Sequence, residues 1–530
     1  MFKRLFVVLL ALSMGACLAS CKEAASVSEE PPVKEEIVAD MDFTVSYDGI
    51  DTSKYSAGIS VHDPSIVAAD DKYYIVGSHM TMAYTSDLKH WAYSGNGYSS
   101  TNKVFGDIFT DPTGEIYSFT GKRESIVPTD DNRCHVWAPD IIYNRRNNLY
   151  YMYYCTSSTW NASTLEYATC ETIDGKYEYA GTILSSGFTA VNYDKTNVLD
   201  YVDEATVKKT YIKPDRSYNF NLWPNAIDPT VFYDKEGRMW MVYGSWSGGI
   251  FLLEIDEETG NAIHPETDTE HEVDAYFGKK LLGGGHKSIE GPYIVYDSES
   301  DYYYLFVSYG ELTADGGYQI RVFRSKTVDG DYVDMNGKKP GYLDNDHAGF
   351  GLKLSGNYRL PSLDKAYKAT GHNSALIDTD GKKYLAYHTR FEKKGEFHEP
   401  RIKQYFLNKE GWPVLLPYTY DGETISEKGY EASLIAGRYF FVNQGTAIDS
   451  EIAEPVIIYL DEAGTVYSLG NDGETVEGAY TLENGTPYMT ITIGGITYSG
   501  VFCRQNDEAG APVMTFTAVG DNASVWGVKY

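Results

Sequence analysis

Cysteine is scarce: six in 530 residues, at 17, 21, 134, 155, 170 and 503. The four beyond residue 21 fit neither a zinc-ligand spacing nor a dense disulfide framework. Cys155 and Cys170 are the one pair whose spacing suits neighbouring strands. Positive charge is also short. Lys and Arg number 45 against 75 Asp and Glu, a net charge of −30. That deficit argues against nucleic acid as a partner and for a soluble, monomeric exported protein. Apolar runs long enough to cross a membrane are missing beyond the first residues, and helical periodicity is scarce throughout.

What is present begins with Met1-Phe-Lys-Arg4, an apolar run from Leu5 to Met14 and Leu18-Ala-Ser-Cys21, the layout of an export signal. Leu-Ala-Ser-Cys resembles a bacterial lipobox, so residues 1–21 are expected to be a lipoprotein signal with Cys21 the lipidated residue. The anchor implies an outer-membrane lipoprotein, on the cell surface or the periplasmic face. An ordinary secretory signal, or processing at Cys17, is the alternative. Residues 22–40, rich in Glu, Pro, Ala and Val, read as a flexible tether.

Tyrosine is abundant, 47 residues against 21 Phe, and short Tyr/Val/Ile runs alternate with Asp-Gly, Asn-Gly and Gly-Gly turns. Five segments share one layout: a small polar opening, an apolar strand, a charged turn and a second, aromatic strand. They open at His62-Asp63-Pro64, Trp137-Ala138-Pro139, Ile227-Asp228-Pro229, Ile289-Glu290-Gly291 and Gly371-His372-Asn373. Such recurrence predicts an all-β fold, a five-bladed β-propeller of four-stranded blades. A β-sandwich or β-helix could also carry repeated hairpins. The propeller domain is expected over 41–428. Residues 429–530 hold short strands split by tight turns, and read as a small antiparallel barrel or sandwich with no cluster of assignable chemistry. Long segments at Ser185–Asn225 and Glu257–His286 read as loops rimming one face.

Stacking the repeats on their opening residues puts Asp63, Ala138, Asp228, Glu290 and His372 in one register. Inner strands of a propeller converge on its axis, so these side chains would ring a central funnel. Three aligned acids are expensive to desolvate and contribute little to packing. Glycoside hydrolysis needs two carboxyl groups, one protonated and one ionised, and a third can set the shift between them. A single strand-opening Asp is more often structural; three in register point to a hydrolase.

These motifs, with Asn225-Ala226-Ile227-Asp228, Ser288-Ile-Glu290-Gly-Pro-Tyr293 and Tyr387-His-Thr-Arg390, resemble the family 43 glycoside hydrolases, nearest the two-domain endo-α-1,5-L-arabinanases. The resemblance implies an inverting enzyme acting on arabinan. Asp63 would be the general base, Glu290 the general acid, and Asp228 the group that raises and orients the acid. It implies sugar contacts at Trp137, Asn225, Ala226, Ile227, Asp228, Ser245 and Trp246. His286 and Arg390 are further candidates, against loop filler and a surface ion pair. It also makes His372 the one protein ligand of an axial calcium otherwise held by waters, although calcium prefers oxygen donors. An exo-acting arabinanase, arabinofuranosidase or β-xylosidase on the same fold, or a glycan-binding lipoprotein without activity, would share much of the pattern.

Overall fold

The computed structural model describes residues 56–97, 102–105, 108, 115–121, 136–158, 162–363, 365–470 and 473–530. The expected signal and tether, with Cys21, and Cys134 lie outside them. Five antiparallel sheets follow in chain order. Blade 1 runs from Ser65–Ala69 out to Ala92–Gly95, blade 2 from Val136–Asn144 to Glu178–Ser186. Blade 3 runs from Thr230–Tyr233 to Gly278–Leu282, with two short added strands. Blade 4 runs from Ile289–Asp297 to Leu352–Ser355, and blade 5 from Tyr367–Ile377 to Pro413–Leu415.

The expected hairpins form where the turn chemistry allows. Asp70 and Asp71 both have positive φ, 52° and 59°, and link Ala69 to Lys72, the geometry a two-residue hairpin needs. Strands such as Tyr302–Tyr309 are buried on both faces, because each blade is covered by its neighbours. Five apolar cores fill the spaces between successive blades, the tyrosines among them. Blade 5 meets blade 1 without sharing a strand. Closure there rests on Ala57, Ile59 and Val61 packed beside Tyr384 and Ile402, and on the Ile66 N–H donating to Ser374 Oγ at 3.0 Å. Buried Asp140 ties three blades, accepting from the Ser65 hydroxyl and, at 2.7 Å, from the Val231 amide.

Ser185–Asn225 carries more structure than a loop. It folds into two 3-10 turns and the helix Glu204–Thr210, capped by Asp203, and it buries Phe188, Val198, Val207 and Tyr211 between blades 2 and 3. The segment Glu257–His286 supplies three strands of blade 3, Ala262–Ile263, Val273–Asp274 and Gly278–Leu282. Cys155 and Cys170 do not pair. Both are free thiols, and on adjoining strands Cys155 faces Leu165 while Cys170 faces Tyr150.

The C-terminal region is a closed eight-stranded barrel from Gly437–Asn443 to Ala523–Lys529, the last strand pairing with the first. Its interior is filled by Tyr439, Met489, Phe502 and Phe516 among others. It docks on the outer strands of blades 4 and 5. Thr517 donates to the Leu415 carbonyl at 2.9 Å, and the Lys353 amide to the Asn522 carbonyl at 2.9 Å. Trp526 is buried against Tyr358.

Candidate active site

Each inner strand enters the sheet through a kink. Asp63, Ala138, Asp228, Gly291 and His372 all have positive φ, 52°, 40°, 55°, 57° and 46°. For the four non-glycine residues that conformation is strained by about 1–2 kcal/mol each, and strain of this kind gathers at functional sites. The five kinks correct the register read from the repeats. The residue of blade 4 equivalent to Asp63 and Asp228 is Gly291, and Glu290 sits one position earlier, in line with His62, Trp137, Ile227 and Gly371. The ladder breaks between Glu290 and Tyr293, which re-aims the strand end. A Cβ on Gly291 would come within 3.1 Å of the His372 ring. Glycine there leaves room for the imidazole, and the acid reaches the site from the next residue back.

The amides of these openers are held by a second ring of side chains that sequence stacking missed. The Ala138 N–H donates to Ser78 Oγ at 2.9 Å, and the Cys155 thiol lies beside the Asp228 backbone. The His372 N–H donates to Ser308 Oγ at 2.6 Å, and the Asp63 N–H to His388 Nδ1 at 3.2 Å. Ser78, Cys155, Ser308 and His388 all sit at the end of a blade's second strand, each serving the next blade. In blade 3 that place belongs to Ser245, which turns its hydroxyl to Glu290 Oε2 at 3.0 Å. Aligning the second strands as well as the first would have exposed this ring.

The acids converge on His372. Its Nδ1 lies 3.0 Å from Asp63 Oδ1, and His62 Nδ1 lies 2.7 Å from Asp63 Oδ2, which also accepts from Ser78 Oγ at 2.5 Å. Burial alone would raise Asp63, but the two imidazoles outweigh it and hold the carboxyl well below the usual range. Burial works the other way on His372, yet the Asp63 and Asp228 charges prevail and lift it to about 9. Asp228 accepts from the Gly291 amide at 3.2 Å. Burial pushes it up to about 7; His372 opposes that, and Glu290 and Asp63 add to it. Glu290 is raised, mainly by burial, against His372 and the hydroxyls of Tyr318 (2.8 Å to Oε1) and Ser245. The site therefore favours the ionised form at Asp63 and the protonated form at Asp228 and Glu290.

Arg390 is buried, at 3 % exposure, rather than in a surface pair. It donates from Nε to Glu396 at 2.6 Å and lies 3.1 Å from His388 Nε2 and 3.4 Å from His62 Nε2, behind Asp63. His62 stacks on His388 at 4.3 Å. Among the described residues, His62, Asp63 and His388 are the group close enough to share an ion. His388 Nδ1 accepts from the Asp63 amide and its Nε2 lies beside the Arg390 guanidinium, an arrangement that suits a support for Asp63 better than a metal centre. Asn225 is buried and accepts from Ser163, and the Ala226 amide donates to Ser186, so these two underpin Asp228; Ile227 is half-buried beside it. Trp137, half-buried, lies against the His79 ring at 4.8 Å and takes on blade 2 the place Glu290 has on blade 4. Trp246, half-buried, tilts against exposed His286 at 5.3 Å.

Comparison with known proteins follows the same division of the chain. The model of glycosyl hydrolases family 43 matches residues 58–413, and that of a C-terminal lipocalin-like domain matches 417–527. The chain is 35% identical to extracellular endo-α-(1→5)-L-arabinanase 2 of Bacillus subtilis, over 89% of this chain and 93% of that protein. It is 36% identical to the extracellular endo-α-(1→5)-L-arabinanase of Thermotoga petrophila, over 88% and 93%. The crystal structure of a family 43 glycoside hydrolase from Bacillus licheniformis superposes with a TM-score of 0.74 at 35% identity, covering 89% of this chain and 98% of that one.

Proposed function

This chain belongs to glycosyl hydrolases family 43, and on that footing we propose that it is an inverting endo-arabinanase cutting α-1,5-L-arabinofuranosidic bonds. The observation that carries the reading is the different setting of the acids: Asp63 lies within 3.0 Å of two imidazole nitrogens, which favour its ionised form, while Glu290 is buried against the Tyr318 and Ser245 hydroxyls, where burial raises it. Two carboxyls driven apart in this way make a base and an acid. Asp63 takes a proton from a water as that water's oxygen bonds to the anomeric carbon. Glu290 gives its proton to the departing glycosidic oxygen as the carbon–oxygen bond breaks. Attack opposite the leaving group inverts the centre. Asp228, anchored by the Gly291 amide, orients Glu290. Trp137 and Trp246 offer ring faces to the sugars.

An axial calcium fits the same reading. Among the described residues no hydrogen bond reaches His372 Nε2, and buried Asn373 leaves both amide atoms unbonded, donors that an ion and its waters would use. Calcium held by His372 would need Nε2 without its proton, and the ion would then take over the positive charge that the imidazolium supplies in its absence. The relatives named above are extracellular enzymes, and a Cys21 lipid anchor would keep this one at the outer membrane.

The test is a time course of the mature protein on linear arabinan beside Glu290→Ala. The expected result is a ladder of arabino-oligosaccharides that the variant does not produce. Arabinose alone from the earliest points would refute endo action, and no cleavage would refute the assignment.

A further inference from the structure

A cavity lined by residues of both domains lies next to Ser288 and Trp246. It measures about 670 Å³, within the ~300–1,000 Å³ of small-molecule sites. On the propeller side it is lined by Trp246, Ser288 and Tyr342, and on the barrel side by Ile448, Asp449 and Ser450. Trp246 follows Ser245, which holds Glu290 Oε2. Ser288 stands two residues before Glu290 and bonds His347 at 3.1 Å. The cavity thus shares its wall with the chain segments that carry Glu290 and its partner Ser245.

The barrel segment is built into this wall. The Gln319 amide and the Lys353 ammonium donate to the Ala447 carbonyl at 3.0 and 3.1 Å. Arg321, fully buried, donates to the Thr446 carbonyl and, from its other amino group, to the carbonyls of Ala348 at 2.7 Å and Phe350 at 2.9 Å. One guanidinium therefore fixes the barrel segment to the propeller loop that carries His347. Gly317 has φ 72°, and a Cβ there would lie 2.6 Å from the Asp449 carbonyl, so the backbones touch. With the main chain held from behind, and Asp449 Oδ1 accepting from the Glu451 amide at 3.1 Å, the exposed Asp449 side chain has Oδ2 left to meet a ligand, beside exposed Ser450.

We propose that this cavity binds the reducing-end half of the arabinan chain, the half that leaves, and that the barrel segment Ile448–Ser450 forms part of that site. The inference rests on the arabinanase reading. Glu290 protonates the leaving oxygen, so the departing sugars lie on its side of the cleavage point. Tyr342, 44% exposed, and Trp246 give flat faces for furanose rings. The carboxylates of Asp449, Asp344 and Glu311 accept from sugar hydroxyls, charge-assisted bonds suited to a neutral polysaccharide. The C-terminal domain is then part of the substrate site.

The experiment uses linear arabino-octaose labelled at its reducing end with 2-aminobenzamide, and the variants Asp449→Trp, which fills the cavity from the barrel, and Tyr342→Ala, which strips the opposite wall. The wild-type protein should leave the label mainly on fragments of three or more sugars. Both variants should cut the share of such fragments at least fivefold. A label distribution equal to wild type in Asp449→Trp, with its fold intact by circular dichroism, overturns the barrel's role; equality in both variants overturns the site. Octaose binding followed by intrinsic fluorescence separates the two readings. If the wild-type protein binds octaose without cutting it, and Asp449→Trp binds at least fivefold more weakly, the activity falls and the site stands. If octaose does not bind, or binds both proteins alike, the site falls.

Discussion

Replacing Tyr318 by Phe isolates one of the forces on the acid. The Tyr318 hydroxyl donates to Glu290 Oε1 at 2.8 Å and favours the ionised carboxyl, against the burial that raises it. The ring itself will stay in place. A Cβ on Gly371 would fall 2.2 Å from its Cδ1, so the aromatic body is gripped whether or not the hydroxyl is present. A hydrogen bond to a charged group is worth about 1.5–3 kcal/mol, part of which a protonated carboxyl would retain. Since 1.36 kcal/mol is one pKa unit, the expected rise in Glu290 is about one unit. Glu290 works as an acid, so a higher pKa keeps it protonated further up the pH scale. The alkaline limb of kcat/KM should therefore move up by about one unit, while the acidic limb, set by Asp63, stays where it is. Because the Glu290 charge acts on Asp228, the limb reports both acids rather than one residue. The assay is a pH profile on a linear arabino-oligosaccharide. An alkaline limb that does not move, or moves down, in a variant with native circular dichroism would refute the reasoning.

Two further outcomes follow from the same geometry. Gly291→Ala adds a Cβ at 3.1 Å from the His372 ring in a left-handed backbone, a strain of about 1–2 kcal/mol that displaces the imidazole; kcat/KM should drop roughly tenfold, and wild-type kinetics would show that the kink tolerates the methyl. Exhaustive chelation should lower kcat and calcium alone should restore it, whereas full activity in metal-free protein, checked by elemental analysis, would remove the ion from the axis.

Much of this architecture is legible in the sequence, because the propeller repeats its chemistry. Every blade needs a kinked opener at the axis, and an opener followed by proline in four of five blades leaves a readable column. The same column explains the one misplaced residue. In Ile289-Glu290-Gly291-Pro292 the acid draws the eye, but the proline marks Gly291 as the opener, and the glycine is required by a ring on another blade. What stayed hidden depends on contacts across blades. Tyr318 reaches the acid from a position that no repeat marks, and Ser78, Cys155, Ser308 and His388 differ in type although they occupy equivalent places. The burial of Arg390 depends on a histidine cluster drawn from both ends of the propeller. The barrel's place beside the acid follows from Arg321 and Gln319 gripping main-chain carbonyls, which leave no mark on side-chain identity in residues 446–450.

The central claim is that Asp63 and Glu290 act on opposite faces of the bond with a water between Asp63 and the anomeric carbon. Proton NMR of a linear arabino-oligosaccharide, followed from the first minute at an enzyme concentration that outruns mutarotation, tests it most directly. The account predicts that the new reducing end appears first as the β-anomer and only then equilibrates. An α-anomer formed first would mean retention through a covalent intermediate, and would contradict the roles given to both residues.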